Sequence, residues 1–413
     1  QEAYPDISPV SGILSTRSST PLSHVNLRAR AWDVPNASYN RAYGKYSKLD
    51  GKIVYFRVTD TEHELRLATR DEIRRFESAK EEQRKVRVPP ADLKTARMPM
   101  LTRIRASDAN IFGAKTANLG EIASAQDSSV AVPEGFGVPF HFYVRHLREH
   151  GLDGNVDEML ADPRWSDAVW RKSALEKMQK AITSAPLNPD VLDALYKRVR
   201  VKLGGRGVFV RSSTNAEDLQ GFNGAGLYDT VPNVRGKAAL AEAVKTVWAS
   251  LWNYRAVAER ELYGIDHHDA FAGVLIQVGV NPTAAGVLIT ANLFDPSENN
   301  SFTINAKWGL GIRVVQGTRI PEQILYDTTN YGTKIISRSD DPVMLVFDDS
   351  GGIREVPSDH TGVILTEERA RRLAEVVLSF LPLFPPTYPL DVEWLLEGET
   401  IWIVQARPYV RGR

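Results

Sequence analysis

The clearest alternation of apolar and polar residues lies at the end of the chain, Pro389 to Pro408, PLDVEWLLEGETIWIVQARP, and it predicts a β-hairpin. Two runs rich in Val, Ile and Trp flank Glu397-Gly398-Glu399, read as a three-residue loop with its glycine at the positive-φ position. That loop sets a register in which Glu393 faces Ile403 and Asp391 faces Gln405. Side chains alternate between strand faces. One face then carries Val392, Trp394, Leu396, Trp402, Val404 and Ala406 as candidate core, and the other gathers Asp391, Glu393, Gln405 and Arg407.

The same reading applied upstream predicts a mixed α/β (α+β) chain. A Pro- and Ser-rich opening leads to a helix-like run from Val25 to Trp32, then the β-rich GKIVYFRV and HELRLAT, then a charged helix from about Arg70 to Lys85. Residues 78–102 are charged, contain Pro89-Pro90 and lack periodicity, the profile of a linker. A helix carrying Leu119 and Ile122 and a helical stretch to about Lys202 precede a buried strand, Val208 to Val210. Leu240 to Leu262 reads as one amphipathic helix with Val244, Val247, Trp248, Leu251 and Trp252 inward. GVLIQVGV and AGVLITANLF, joined at Asn281-Pro282-Thr283-Ala284, read as a buried hairpin. QILYD and VMLVFD are further strands, and Thr366 to Phe380 is a helix.

Composition changes this picture mainly by exclusion. A length of 413 residues fits two or three domains. The 43% apolar and 25% charged content is that of an ordinary globular protein. A formal net charge of zero argues against a large nucleic-acid or anionic-membrane footprint. No apolar run reaches the roughly 18 residues of a transmembrane helix. The absence of cysteine excludes disulfides, thiolate catalysis and cysteinyl metal sites. The chain begins at Gln1 with no signal-like segment, so an upstream piece is expected to have been processed away or left out, and the expected location is the cytoplasm.

The candidate chemistry starts with the hairpin. Two acids, an amide and a guanidinium beside an apolar face are costly unless they bind something. Carboxylate and amide oxygens suit Mg²⁺ and the arginine suits phosphate, the alternative being a solvated, salt-bridged face. Gly113 and Lys115 open a helix without a Walker A pattern, and Lys115 is either a phosphate ligand or a surface lysine. Arg211-Ser212-Ser213 ends the strand from Val208 and leads into a loop with Gly221, Gly224 and Gly226, either a cover for a polyanion or a long surface turn. Gln277 is a candidate hinge for an adenine, and Gly309 and Gly311 form a tight turn that lets backbone approach a ligand. His24 sits at a helix start, as a capping residue or as a functional one. His267-His268 lacks metal-ligand spacing and is expected in an exposed loop.

Taken in order, GAKTANL, VRSSTNAEDL, GAGLYDT, WGLG with VVQG, and DVEW…QAR resemble the ATP-grasp nucleotide-binding domain of the dikinase family of pyruvate phosphate dikinase, phosphoenolpyruvate synthase and glucan water dikinase. TPLSHVNLRAR resembles that family's swivelling phosphohistidine domain. The resemblance implies a phosphohistidine domain over residues 1–77, incomplete at its start, a linker over 78–102 and an ATP-grasp domain over 103–413. It implies Mg²⁺ and ATP as cofactors, with Lys115, Arg211 and Arg407 on phosphate, and Glu393, Gln405 and Asp391 on the metal. The glycines at 221–226 correspond to the lid loop and His24 to the phosphorylated histidine. The implied reaction passes the β-phosphoryl of ATP to His24 and on to a second acceptor, releasing AMP and phosphate. The acceptor stays open between pyruvate, a glucan and a small metabolite, and its domain is expected upstream or on another chain. Two rivals are a nucleotide-binding regulatory module without phosphotransfer and an ATP-grasp ligase working through an acyl phosphate. Three departures stand out: Ser18-Ser19 where the family has Gly-Gly, Ile312 where relatives carry Glu after GLG, and no room after Arg413 for the phosphoenolpyruvate/pyruvate barrel.

Overall fold

The computed structural model describes residues 9–16, 25–26, 29, 32, 34–59, 61–82, 86–125, 127–217, 219, 222, 224, 226–295, 297–298, 300–312, 320–339, 341–358, 360 and 362–409. Near the N-terminus, β1 (Ile13–Ser15) and β2 (Asn36–Ser38) pair in parallel, and β3 (Val54–Val58) and β4 (His63–Leu67) form an antiparallel pair. Helix Arg70–Glu82 starts on a reciprocal cap: the Glu72 N–H donates to Thr69 Oγ1 at 3.3 Å, and the Thr69 N–H donates to Glu72 Oε2 at 2.8 Å. Arg66 on β4 grips the same Glu72 through both terminal nitrogens, at 2.9 and 2.7 Å. From Val86 onward the chain runs extended along the larger body, with the Val86 N–H on the Tyr263 carbonyl and Met98 buried.

Two antiparallel sheets follow. The first has four strands in the order β5-β8-β6-β7, where β5 is Gly135–Val138, β6 Val208–Thr214, β7 Thr230–Val234 and β8 Ala272–Val278. Every residue of β8 is buried, as expected of a strand paired on both edges and covered by helices. Helices Phe140–Glu149 and Lys237–Ala249 pack on this sheet, and Ala168–Ser184 packs on the second of them. Their starts are readable from the sequence: Asp167 caps Ala168–Ser184, and Asn188 with Pro189 opens Pro189–Lys202.

The second sheet has six strands in the order β12-β11-β10-β9-β15-β16. These are β9 (Ala284–Ile289), β10 (Ser301–Trp308), β11 (Glu322–Asp327), β12 (Thr333–Ser337), β15 (Leu390–Glu397) and β16 (Thr400–Pro408). The small hairpin of β13 (Val343–Phe347) and β14 (Ile353–Pro357) lies beside it, with Leu345 bridging to Gly309. Helix Glu367–Phe380, capped by Thr366, buries Leu373, Val377 and Phe380 in one core with Leu288, Val392 and Ile403. Each such side chain contributes about 1.5–3 kcal/mol when fully buried. No helix among the described residues is long and apolar enough to cross a membrane.

Several expectations are corrected. The apolar runs around β8 and β9 do not form a hairpin, because each joins a different sheet and Asn281-Pro282-Thr283 carries the chain between them. The amphipathic stretch 240–262 breaks at Asn253 into helices Lys237–Ala249 and Tyr254–Leu262. The helical stretch to Lys202 is interrupted by β5. His267 is not exposed: its ring meets Trp165 edge-on and lies tilted against Trp252, and its Nδ1 accepts from Arg260 Nε at 3.0 Å.

The closing hairpin is real, but its register differs. Glu397 pairs with Thr400, which leaves Gly398-Glu399 as a two-residue turn with Gly398 at φ 56°. A bulge then intervenes: Trp394 pairs with Ile403 and Glu393 with Gln405, so Val404 has no cross-strand partner. Near the turn Ile401 and Ile403 are therefore the core residues, whereas Trp402 and Val404 are only half-buried. Beyond the bulge Asp391 faces Arg407 and Glu393 faces Gln405.

Candidate functional site

The site is a cleft with a cavity of about 210 Å³, lined from both sheets. On the first sheet's side, Gly113 holds φ at 86°, and a Cβ there would overlap the Ser213 carbonyl. That contact seats the start of helix Ala114–Ser124 on the end of β6, and Ser213 Oγ accepts the Thr116 N–H at 3.0 Å. The hydroxyl satisfies one of the donors that a helix start leaves without an intrahelical partner. Lys115, the second residue of this helix, reaches the cleft and pairs with Glu217 Oε1 at 2.9 Å. Both side chains are more than nine-tenths buried, at 8% and 3% exposure.

Arg211 projects from β6 across to the second sheet. Its Nη1 donates to the Val404 carbonyl at 2.5 Å, the group that the bulge frees from the strand ladder. Its Nη2 donates to Glu393 Oε2 and to Gln405 Oε1, both at 3.1 Å. A carboxylate oxygen and an amide oxygen thus converge on one cationic nitrogen. Arg407 donates from Nε and Nη2 to Asp391 Oδ2, at 2.9 and 2.7 Å. Three cations therefore stand in the cleft region beside three carboxylates: Lys115 with Glu217, Arg211 with Glu393, and Arg407 with Asp391. Asp391 does not itself line the cavity; it lies behind Arg407.

Towards the start of β6, where Phe209 pairs with Gln277 and Val208 with Val278, the cleft is apolar, and its lining includes Phe209, Val278, Val280, Leu310 and Ile312. Gln277 lines it too, with its amide nitrogen donating to the Pro133 carbonyl at 3.0 Å. Gly286 allows Trp394 to pack over β9, since a Cβ there would overlap Asn305 and Trp394. Gly309 takes φ 75° where the backbone crosses to Leu345, and Gly311 lines the cavity beyond it. Gly226 lines the cavity and Gly224 packs against Glu217. Tyr228, whose phenol burial pushes above its ordinary value, donates to the Ala216 carbonyl at 3.1 Å.

The structure thus brings Lys115, Arg211, Gly226, Gln277, Gly311, Glu393, Gln405 and Arg407 to one cavity, with Gly224, Gly309 and Asp391 immediately behind its lining. His24 and Gly221 lie outside the described residues. Near His24 in sequence, Val25, Ala29 and Trp32 are buried, and Trp32 Nε1 donates to Glu259 Oε1 at 2.7 Å. Sequence reasoning missed Glu217, Thr230 and the apolar wall. Only Glu217 had a visible signal, an acid six residues beyond Arg211 inside VRSSTNAEDL.

The donor set fits a hard divalent cation. Glu393 and Gln405 offer oxygens that already share one cationic nitrogen, and Mg²⁺ binds through one or two carboxylates plus substrate phosphates rather than a full protein cage. Among the described residues no cluster of three or more His, Cys, Asp or Glu is placed to hold a metal.

Comparison with known proteins gives a consistent result. The profile of the family described as "Pyruvate phosphate dikinase, AMP/ATP-binding domain" matches residues 109–412. A protein named "Probable phosphoenolpyruvate synthase" from Methanocaldococcus jannaschii is 32% identical over 319 residues, covering 75% of this chain and 26% of that protein. "Rifampicin phosphotransferase" from a Streptomyces species is 32% identical over 302 residues, covering 72% of this chain and 34% of that protein. "Phosphoenolpyruvate synthase" from Aeropyrum pernix is 30% identical over 339 residues, covering 72% and 40%. The chain therefore spans less than half the length of these curated relatives. Among solved structures, D-alanyl-alanine synthetase A from Vibrio cholerae aligns over 60% of this chain and 57% of that one at 14% identity, with a TM-score of 0.23 that carries no argument.

Proposed function

The chain belongs to the pyruvate phosphate dikinase AMP/ATP-binding domain family, and from that premise we propose that its cleft binds Mg²⁺-ATP and donates a phosphoryl group to His24, in a dikinase-type phosphotransferase. The observation that carries this reading is the convergence of Lys115, Arg211 and Arg407 at one end of a cavity whose other end is apolar. A nucleotide has that division, a polyanion at one end and a flat, weakly polar base at the other. Phe209, Val278 and Ile312, which line the cavity, would enclose the base, with Gln277 beside it.

Phosphoryl transfer asks an enzyme mainly for positioning and for cations where charge spreads over the phosphoryl oxygens. Lys115 meets this need from a helix start, and Arg211 and Arg407 meet it from β6 and β16. Glu393 and Gln405, with Asp391 behind, would hold Mg²⁺, which would supply neutralisation of the phosphate charge. His24 is the nucleophile: the ring nitrogen of its neutral imidazole bonds to the β-phosphorus as the bond to the α-phosphoryl oxygen breaks and AMP leaves. Water then cleaves the β–γ link, so that the γ-phosphate departs as inorganic phosphate and the β-phosphoryl stays on the histidine. The phosphohistidine then passes its phosphoryl group to a second acceptor, of the pyruvate, glucan or small-metabolite class. One site cannot hold ATP and that acceptor in line with the same nitrogen. Residues 1–77 accordingly act as the carrier, 78–102 as the connection and 103–413 as the nucleotide domain.

Incubation with ATP labelled at the β or the γ position tests this. The expected result is an acid-labile, base-stable phosphoprotein labelled only from the β position, with AMP as the nucleotide product. Labelling undiminished in His24→Ala, or none from either position, would overturn the reading. ADP as the sole product would reassign the chain to an ordinary kinase or an acyl-phosphate ligase.

A further inference from the structure

Among the charged groups of the cleft, Glu217 has no part in the scheme above. Its carboxylate lies 2.9 Å from the Lys115 ammonium, both groups are buried, and both line the cavity. Asp391 and Glu393 reach the site from β15 and stand beside the oxygens suited to a metal. Glu217 arrives from the opposite wall, on the stretch that leaves β6. We propose that Glu217 is an internal competitor for the phosphate lysine, so that its carboxylate weakens polyphosphate binding and sets how strongly the cleft discriminates a nucleotide from its nucleoside. The inference rests on the reading of the cleft as a Mg²⁺-ATP site.

Three observations support it. An acid this close to Lys115 cancels much of the field that draws an anion, and it repels any phosphate seated on the same ammonium. The carboxylate is also placed by the fold. A Cβ on Gly224 would come within 3.0 Å of Glu217 Cγ and 3.2 Å of its Cα, so the glycine lets the returning limb of the loop press against this residue. The preceding residue is tied down as well, through Tyr228 Oη on the Ala216 carbonyl. Finally, Glu217 lines the same cavity as the three cations, so phosphates that engage Lys115 would sit beside its carboxylate.

The test is titration calorimetry of the full chain with ATP and with adenosine in the presence of Mg²⁺, comparing wild type, Glu217→Gln and Glu217→Asp. The glutamine keeps the size and an acceptor for Lys115 while removing the charge. Glu217→Gln is expected to tighten ATP roughly three- to tenfold and to leave adenosine unchanged, whereas Glu217→Asp stays near wild type. A second comparison isolates the competition: adding Glu217→Gln to Lys115→Met, where no ammonium is left to compete for, is expected to tighten ATP by a clearly smaller factor than in the wild-type background. ATP binding that is unchanged or weaker in Glu217→Gln, that moves in step with adenosine, or that tightens by the same factor with and without Lys115 would overturn the inference while leaving the Mg²⁺-ATP reading intact. A wild type that binds neither ligand would sink both.

Discussion

Arginine and carboxylate meet in two very different settings in this protein. At the junction of β4 and helix Arg70–Glu82, Arg66 joins Glu64 and Glu72 at the surface, and Thr69 completes a reciprocal helix cap. In the cleft, Arg211 and Arg407 meet Glu393, Gln405 and Asp391 with most of their surface buried. Water solvates the first cluster, so its charges serve only local structure. The second cluster has lost that solvation, and its ion pairs bring little net stability for the cost of desolvation. Groups kept charged under those conditions are better explained by a ligand that comes in charged.

The sharpest way to break this comparison is Arg407→Ala. It removes a phosphate contact and also strands Asp391, so folding stability should fall by about 3–5 kcal/mol and ATP binding should be lost, checked by denaturant unfolding and titration calorimetry. A variant that unfolds like wild type would show that the pair is solvated after all. Glu393→Ala comes next. Arg211 keeps its Val404 and Gln405 acceptors, so the fold should hold while the Mg²⁺-dependent part of ATP affinity drops roughly 10- to 100-fold and adenosine binding survives. Equal ATP affinity with and without Mg²⁺ in the wild type would remove the metal assignment. Val280→Trp, at the apolar end, should weaken ATP and adenosine by the same factor, because it touches only the part they share.

The smallest effect belongs to the exposed cluster. Glu72→Gln should leave ATP binding unchanged. The Arg66 guanidinium and the Thr69 cap hold the Glu72 carboxyl down at about 2. Because its folded value is depressed, the stabilisation it provides is present above the ordinary carboxylate range and fades as pH falls towards about 2. A side-chain NMR titration should place its midpoint there, and a midpoint near 4.5, the ordinary value, would dissolve the contrast between the two clusters.

How far the chain could be read in advance differs along its length. The four polar residues of the closing hairpin were assigned to one face through a register that was wrong twice. The turn is one residue shorter than the Glu397-Gly398-Glu399 reading, and the bulge at Val404 adds one more step. Together the two shifts restore the parity of the polar end, so Asp391, Glu393, Gln405 and Arg407 still share a face, while near the turn Ile401 and Ile403 replace Trp402 and Val404 in the core. A bulge leaves no local sequence signature here. Its reason is remote, since the freed Val404 carbonyl meets Arg211 from the other sheet. The β8 and β9 runs were misread as a hairpin because a short Pro-containing connection between apolar runs looks the same whether the chain turns back or crosses to another sheet. Glu217 was passed over because loops carry no periodicity to mark which side chain points inward.

The central claim, that the buried charges of the cleft exist for a nucleotide, is tested most directly by equilibrium dialysis of ATP against the full chain with and without Mg²⁺, in wild type and in Arg211→Ala. The account predicts a single site that Mg²⁺ strengthens and that Arg211→Ala abolishes. No binding by the wild type, or binding indifferent to both Mg²⁺ and the loss of Arg211, would contradict it.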